Sequence, residues 1–187
     1  MNKISARMHS IFLRIFGRSG KTYKALRSIL NLEKGKVLDL GTGSGIQAET
    51  ALKHTKDVLA VDISKEAVKF VKKKGIKTRI SDLFSNINEK FDLIIFNPPY
   101  LPKEELEDKE SKKITTGGKK GYEILERFFS KVNNYLNKNG KMLIVFSSLT
   151  NKKKIDKIIR KNNFKFKLLE KEKMFFEEIY CYLIERK

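Results

Sequence analysis

Cysteine and histidine are scarce in this chain of 187 residues. The single cysteine, Cys181, excludes a disulfide within the chain, and together with His9 and His54 it does not form a recognisable metal-binding cluster. Long apolar runs are missing as well, because no stretch approaches the ~18 residues that a membrane-spanning helix needs. These absences predict a protein that binds no metal and has no membrane-spanning segment.

Acidic residues are absent from the first 32 positions. This N-terminal segment also lacks the uninterrupted apolar core and the small-residue cleavage site of a signal peptide, so we expect a cytoplasmic protein. Five apolar side chains recur in it at helical spacing: Met8, Ile11, Phe12, Ile15 and Phe16. The pattern predicts a basic amphipathic helix, and it leaves open whether that helix packs on the domain or lies on a nucleic acid or membrane surface.

The net charge of +19 comes from 41 basic and 22 acidic residues. Such an excess permits a polyanionic partner such as RNA or DNA. Only eight of the basic residues are arginine and 33 are lysine, whereas bidentate recognition of bases and phosphates favours arginine. We therefore favour a solvated lysine-rich surface over a nucleic-acid interface as the explanation of the charge.

The length and the hydrophobic content of 40% are typical of a globular chain with one full core. No linker, shift of composition or internal repeat divides it. The sequence therefore predicts a single domain over residues 1–187, made of an N-terminal helical segment over 1–32 and a core over 33–187.

A glycine-rich turn follows the first predicted strand, residues 36–40. The turn is Gly41-Thr42-Gly43-Ser44-Gly45, and a helix is predicted after it over residues 46–53. Glycines let the chain turn sharply and let a ligand approach the main chain, while the helix N-terminus offers free N–H groups. A dinucleotide fingerprint would need its third glycine at position 46, which is Ile46. The pattern is typical of a nucleoside cofactor without a pyrophosphate.

Acidic residues follow the next two predicted strands. Strand 58–61 ends at Asp62, and strand 77–80 is followed by Ser81, Asp82 and Leu83. A carboxylate at the first of these positions can accept the hydroxyl groups of a ribose. Asp82 is placed where it could accept an adenine amino group, although a single Asp after a strand is also a common turn residue.

The fourth predicted strand, residues 91–96, ends abruptly at Asn97-Pro98-Pro99-Tyr100. Two consecutive prolines cannot donate the N–H groups that would extend the strand. In an open α/β sheet the ligand crevice lies at the carboxyl ends of the strands, so Asn97 and Tyr100 are placed where chemistry tends to occur.

Strands and helices continue to alternate after this turn. We expect a helix over 121–136, a strand over 141–147, a helix over 152–161 and closing strands near 164–171 and 178–185, with Tyr122, Phe128 and Phe129 in the core. The alternation predicts an α/β fold. Residues 102–120 form the less regular part, which we interpret as a loop over the crevice.

Taken together, the motifs at 39–45, Asp62, Ser81-Asp82 and 97–100 resemble those of class I methyltransferases that use S-adenosylmethionine. The resemblance covers about residues 20–185. It implies a Rossmann-like fold with a mostly parallel seven-stranded sheet, helices on both faces and a C-terminal antiparallel strand. Residues 116–129 are similar to a stretch of the HemK-related branch of archaea and eukaryotes, whose members methylate a glutamine of peptide-chain release factors.

The resemblance also implies roles for individual residues. The residues expected to be catalytic are Asn97, Pro98, Pro99 and Tyr100. The residues expected to bind the cofactor are Thr22, Asp39, Gly41, Thr42, Gly43, Gly45, Asp62, Ile63, Ser81, Asp82, Leu83 and Asn97. Residues 17–23 depart from the branch, because they keep the hydroxyl of Thr22 and the ring of Tyr23 but lack the acids usually present there.

An amide or aryl amine nitrogen is a poor nucleophile because its lone pair is conjugated. The Asn97 side-chain oxygen and the Pro98 carbonyl can accept its two N–H groups and stabilise the charge that develops as the nitrogen pyramidalises. Tyr100 can stack on the flat acceptor and position it. This chemistry predicts methylation of a planar nitrogen.

We therefore expect an S-adenosylmethionine-dependent enzyme that methylates the glutamine of a release factor, with a small zinc-binding activator subunit implied by the resemblance. The alternative is an RNA or DNA methyltransferase that acts on an exocyclic amino group of adenine or guanine, which the basic charge and the altered segment at 17–23 both favour. A non-catalytic binding subunit of the same fold is the third hypothesis.

Overall fold

The structure is a computed structural model that describes residues 35–99, 120–173 and 177–187. The predicted basic helix over 1–32, Thr22, Tyr100 and residues 102–119 of the predicted loop lie outside these ranges. The strands are β1 Val37–Leu40, β2 Val58–Asp62, β3 Lys77–Ile80, β4 Phe91–Phe96, β5 Leu136–Ser147, β6 Phe164–Lys173 and β7 Glu178–Arg186. The helices are α1 Ile46–Ala51, α2 Lys65–Lys73, α3 Glu123–Lys131 and α4 Lys152–Lys161, and 3-10 turns cover Val132–Tyr135 and Ser148–Thr150.

These strands form one seven-stranded sheet in the order β3-β2-β1-β4-β5-β7-β6. Strand β2 pairs in parallel with both β1 and β3, whereas β7 pairs antiparallel with both β5 and β6. Parallel pairs need crossover connections, and α1 and α2 supply them in the first half of the chain. The predicted class, a mostly parallel sheet with an antiparallel C-terminal strand, is confirmed.

The described residues divide into two compact units, of which the first contains residues 35–87 and 91–95. Strands β1 and β2 are apolar along almost their whole length, as expected of strands covered on both faces. Helix α2 contributes Val68 and Val71 to this core, and Ser64 caps the helix by accepting the N–H of Ala67.

The second unit contains, among the described residues, 88–90, 96–99, 120–173 and 177–187. Its core is rich in aromatic rings, and four phenylalanines pack one against the next. The ring centroids lie 4.9 Å apart for Phe96 and Phe128, 5.1 Å for Phe128 and Phe129, and 6.2 Å for Phe129 and Phe164. Phe128 and Phe129 are buried, which confirms their predicted place in the core. Tyr122 was predicted there too, but it is only half-buried, and the Lys154 ammonium lies 4.9 Å from its ring.

The helix predicted over 121–136 is shorter in the structure. Helix α3 ends at Lys131, a 3-10 turn follows, and strand β5 begins at Leu136 rather than at 141. The guanidinium of Arg186, near the end of the chain, donates to the carbonyl oxygens of Asn133 and Leu136. These long-range bonds pair Arg186 with carbonyl groups of the 3-10 turn and of the first residue of β5, about 50 positions earlier in the chain.

Two kinds of feature are absent from the described ranges. No helix in them is long and apolar enough to cross a membrane. No group of three or more His, Cys, Asp or Glu side chains in those ranges is arranged to hold a metal ion. The single-domain organisation over 1–187 stays a prediction.

Candidate active site

Asp39 lies within β1 and is completely buried. Its Oδ2 accepts the Thr42 hydroxyl at 2.6 Å and the N–H of Ala48 at 3.1 Å, whereas its Oδ1 is buried without a partner. Burial raises the pKa of Asp39 from 3.8 to about 7, although the hydrogen bonds from Thr42 and Ala48 act in the opposite direction. A buried carboxylate oxygen without a donor is costly on its own, and a cationic ligand would satisfy it.

The glycine turn after β1 has the left-handed backbone that its sequence predicts. Gly41, Gly43 and Gly45 have φ angles of 70°, 51° and 82°. A Cβ atom at Gly43 would meet no atom within 4 Å, so the turn leaves open space there. A Cβ atom at Gly45 would lie 2.8 Å from the Val71 side chain, so this glycine is needed for close packing against α2.

Asp62 stands at the end of β2, beside this turn. Its Oδ2 accepts the N–H of Gly43 at 2.9 Å and its Oδ1 accepts the N–H of Ser64 at 2.9 Å. Each carboxylate oxygen has two lone pairs, so the group that fixes the turn can still accept ligand hydroxyl groups. The next side chain, Ile63, is 64% exposed and offers an apolar surface beside it.

The segment after β3 is a tight turn held by its own polar side chains. Ser81 is buried and donates to the carbonyl oxygen of Leu83, and the N–H of Asp82 donates to the Ser85 hydroxyl. Leu83 has a φ angle of 50°, which is uncommon for a residue other than glycine. The N–H of Ser81 donates to the Asp62 carbonyl oxygen, so the ends of β2 and β3 are tied together.

Asn97, Pro98 and Pro99 belong to the second unit. The strand before them, β4, ends at Phe96 as predicted. The Asn97 Oδ1 atom is buried and has no hydrogen-bond partner, and Pro98 is buried next to it. An unpaired acceptor beside two residues that cannot donate is suited to bind an N–H group of a ligand.

The first unit therefore fits a nucleoside cofactor with a cationic end. Hydrogen bonds bring Asp39, Thr42, Gly43 and Asp62 together, and a backbone bond ties Ser81 to them. The unpaired Oδ1 of Asp39 suits an ammonium group, and the open space at Gly43 admits a ligand close to the main chain.

Sequence reasoning missed two residues that support this site. The Lys74 ammonium donates to the carbonyl oxygen of Ser44 at 2.8 Å and lies 2.7 Å from Glu49 Oε1, so it ties the glycine turn to α1. The Ser85 hydroxyl accepts the N–H of Asp82. Neither residue belongs to a motif. The only feature of the sequence that could have identified them is a polar side chain close to a turn.

A family model described as methyltransferase small domain matches residues 22–176. The chain belongs to this methyltransferase family. The prediction of an enzyme that transfers methyl groups is confirmed, and membership of the family implies S-adenosylmethionine as the methyl donor.

Two relatives and a solved structure are similar to this methyltransferase. A protein of Methanocaldococcus jannaschii with the provisional name protein N5-glutamine methyltransferase is 38% identical over 163 residues, which cover 82% of this chain and 83% of that one. The release factor glutamine methyltransferase of Streptococcus pneumoniae is 42% identical over 84 residues, which cover 40% of this chain and 30% of that protein. The Mtq2-Trm112 complex of E. cuniculi, described as responsible for the methylation of the eRF1 translation termination factor, superposes with a TM-score of 0.70 at 25% identity, covering 91% of this chain and 98% of that chain.

Proposed function

We propose that this methyltransferase transfers a methyl group to the side-chain amide nitrogen of a glutamine in a peptide-chain release factor. The observation that carries the proposal is the buried, unpaired Oδ1 of Asn97 at the end of β4, followed by two prolines. Such an acceptor suits the N–H₂ group of an amide. The names of the relatives, which refer to protein glutamine and release factors, support the choice of glutamine.

The first unit would hold the cofactor. Asp39 would accept the ammonium group of its amino-acid end through Oδ1, and the turn over Gly41, Gly43 and Gly45 would lie against it. Asp62 would accept the ribose hydroxyl groups, and Ile63 with the turn over 81–83 would surround the adenine. When bound, S-adenosylmethionine supplies an electrophilic methyl group on a sulfonium sulfur.

Asn97 and Pro98 would act on the acceptor nitrogen. The Asn97 side-chain oxygen and the Pro98 carbonyl would accept the two N–H groups, which orients the nitrogen lone pair and stabilises the positive charge that develops on it. The amide nitrogen would form a bond to the methyl carbon while the bond from that carbon to the sulfonium sulfur breaks, with its electron pair remaining on a neutral thioether sulfur, and the nitrogen would then lose one of its two protons. No strong base is required, because this proton becomes acidic once the nitrogen carries positive charge.

We also propose a small zinc-binding activator subunit as the partner of this enzyme. The similar Mtq2 chain is described in a complex with Trm112. The zinc would belong to the partner. If the proposal is right, the enzyme and an activator expressed together will elute as one complex, and the complex will transfer methyl groups faster than the enzyme alone.

Transfer of a labelled methyl group to purified release factor tests the proposed substrate. The release factor should be labelled on the glutamine of its Gly-Gly-Gln motif, and replacing that glutamine by asparagine should abolish the label. Total tRNA, rRNA and DNA are assayed in parallel, with and without the activator. Label that appears only in nucleic acid would overturn the proposal.

The second candidate function is methylation of an exocyclic amino group in RNA or DNA. The net charge of +19 favours it, and Asn97 would hold such a nitrogen in the same way. The parallel assays above separate the two candidates directly.

A further inference from the structure

The outward face of α2 is strongly basic. Lys65, Lys69, Lys72 and Lys73 are exposed on it, and Lys77 follows at the start of β3. Glu66 is the one acid of the helix, and its carboxylate accepts the Ser64 hydroxyl at the N-terminal end. Lysines three and four positions apart repel each other and destabilise a helix, so a bound polyanion would relieve this repulsion.

Phe70 lies between Lys69 and Lys72 in the sequence of α2, with 53% of its surface exposed. Across the ranges that the structure describes, every other phenylalanine and tyrosine is buried or half-buried. The apolar contacts of α2 are made by Val68 and Val71 on its inner face. More than half of the Phe70 surface therefore stays in contact with water, which costs free energy relative to a buried ring.

Lys74 holds the Phe70 ring in place. Its ammonium lies 4.7 Å from the ring centroid and is itself fixed by Glu49 and by the Ser44 carbonyl oxygen. A cation at this distance is attracted to an aromatic ring. The exposed part of Phe70 is consequently a flat apolar surface that Lys74 positions on a helix rich in exposed lysines.

We propose that this surface, the α2 platform formed by Lys69, Phe70, Lys72, Lys73 and Lys77, binds single-stranded RNA. One unpaired base would stack on Phe70, and the lysines would contact the adjacent phosphates. Ammonium groups bind phosphate as point charges without reading base edges, so the binding would not depend on sequence. RNA is here a second ligand and not the methyl acceptor, so the inference does not depend on the proposed substrate.

Two other polyanionic partners fit the α2 platform less well. Binding to a membrane surface would need a broad exposed apolar face, whereas Val68 and Val71, which form the apolar face of α2, are buried. An acidic protein could form ion pairs with the lysines, but its carboxylates would not stack on the Phe70 ring. Proteins that bind single-stranded nucleic acid combine an aromatic ring, on which a base stacks, with nearby cations that contact the phosphates.

Helix α4 provides a matched control within the same chain. Lys153, Lys157 and Lys161 are exposed on it at successive intervals of four residues. No exposed aromatic ring lies on that helix. Removing three charges there changes the net charge as much as removing three from the α2 platform, so any difference between the two variants reports the site and not the total charge.

The first test measures RNA binding by the full chain as a function of salt. A fluorescent 15-nucleotide single-stranded RNA of mixed sequence is titrated by anisotropy. Single strands give a slope of log K against log salt of about −0.7 for each phosphate neutralised, so the K69Q/K72Q/K73Q variant should make the slope shallower by about 2. The K153Q/K157Q/K161Q variant should keep the slope within about 0.7 of wild type. Equal effects of the two variants, or no measurable binding by the wild type, would overturn the proposal.

The second test addresses the ring. Phe70→Ala should weaken RNA binding by about 5- to 150-fold without changing the salt slope, and Phe70→Tyr should restore it because it keeps a stacking surface. Cofactor binding serves as the control for correct folding of both variants. Three results would contradict the proposal: an unchanged affinity for Phe70→Ala, equal binding of duplex DNA of the same length, or competition by polyglutamate as strong as that by RNA.

Discussion

The backbone N–H of Gly43 donates a hydrogen bond of 2.9 Å to Asp62 Oδ2, which joins the glycine turn to the end of β2. The other oxygen of the same carboxylate accepts the N–H of Ser64 at 2.9 Å. Asp62 therefore shapes the turn through its own hydrogen bonds. Both the geometry of the turn and the proposed binding of the ribose therefore depend on the Asp62 side chain.

We expect Asp62→Ala to weaken cofactor binding by about 100-fold or more, because hydrogen bonds to a charged group contribute about 1.5–3 kcal/mol each. Asp62→Asn should lose less, since it keeps one oxygen as an acceptor. Isothermal titration with S-adenosylmethionine measures both variants. Asp57→Ala, which removes an exposed acid of the same unit, should bind the cofactor as the wild type does. Unchanged affinity in Asp62→Ala would contradict the assigned role.

Gly43 and Gly45 make a matched pair for testing the turn. Both have positive φ angles, but only at Gly45 would a Cβ atom meet another side chain, that of Val71 at 2.8 Å. Gly45→Ala should lower the free energy of unfolding by about 2–5 kcal/mol, the sum of left-handed strain and overpacking. Gly43→Ala should cost only about 1–2 kcal/mol in stability and weaken cofactor binding instead. Urea unfolding and cofactor titration measure the two effects separately.

Shortening Val71 tests whether contact with its side chain causes the loss of stability expected for Gly45→Ala. Val71→Ala on its own leaves a cavity and destabilises the protein. In the Gly45→Ala background it removes the clash, so the double variant should be less destabilised than the sum of the two single variants. Strict additivity would show that strain in the backbone, and not contact with Val71, makes Gly45 necessary.

The polar residues at strand ends were predictable from the sequence. The side-chain pattern and the glycine turn located the ends of β1, β2 and β4 and therefore Asp62 and Asn97, because an α/β fold brings the carboxyl ends of its parallel strands to one edge of the sheet. The pairing of Asp39 with the Thr42 hydroxyl lies within the same motif, but its burial did not follow from the motif.

Long-range polar contacts were not predictable in this way. Arg186 donates to the Leu136 carbonyl oxygen 50 positions earlier, and Lys74 donates to the Ser44 carbonyl oxygen 30 positions away. Lysine and arginine have long side chains that can meet many partners, so neither periodicity nor spacing identifies the partner. For Tyr122 the sequence predicted too much burial. Its helical spacing indicated a core residue, whereas the ring is half-exposed and the Lys154 ammonium lies over it.

The buried carboxyl group of Asp39 makes stability depend on pH. Its pKa rises from the ordinary value of 3.8, which applies to the unfolded chain, to about 7 in the folded protein, mainly because burial disfavours the charged form. Between these two values the unfolded chain is ionised while the folded chain keeps the proton. Stability without cofactor should therefore fall by about 1.4 kcal/mol for each pH unit across this window, and by about 4 kcal/mol in all, with no further loss above pH 7.

Asp39→Asn removes this ionisation while keeping an oxygen that accepts from Thr42 and Ala48. We expect the variant to be more stable than wild type at pH 8 and nearly equal to it at pH 4, as measured by thermal unfolding across that range. It should also bind S-adenosylmethionine more weakly, because the ammonium group loses its counter-charge. A wild-type melting temperature with the same pH dependence as that of the variant would rule out the buried carboxyl group as the cause.

Asn97 should act on the acceptor and hardly at all on the cofactor. Asn97→Ala removes the buried Oδ1 that has no partner in the protein, so it should lower kcat for methyl transfer by at least about 100-fold while leaving cofactor affinity within a few-fold of wild type. Asn97→Asp, which keeps an oxygen acceptor at the same position, should retain more activity than Asn97→Ala. Single-turnover transfer and cofactor titration separate the two properties. A loss of cofactor affinity as large as that of Asp62→Ala would show that Asn97 belongs to the cofactor site and not to the acceptor site.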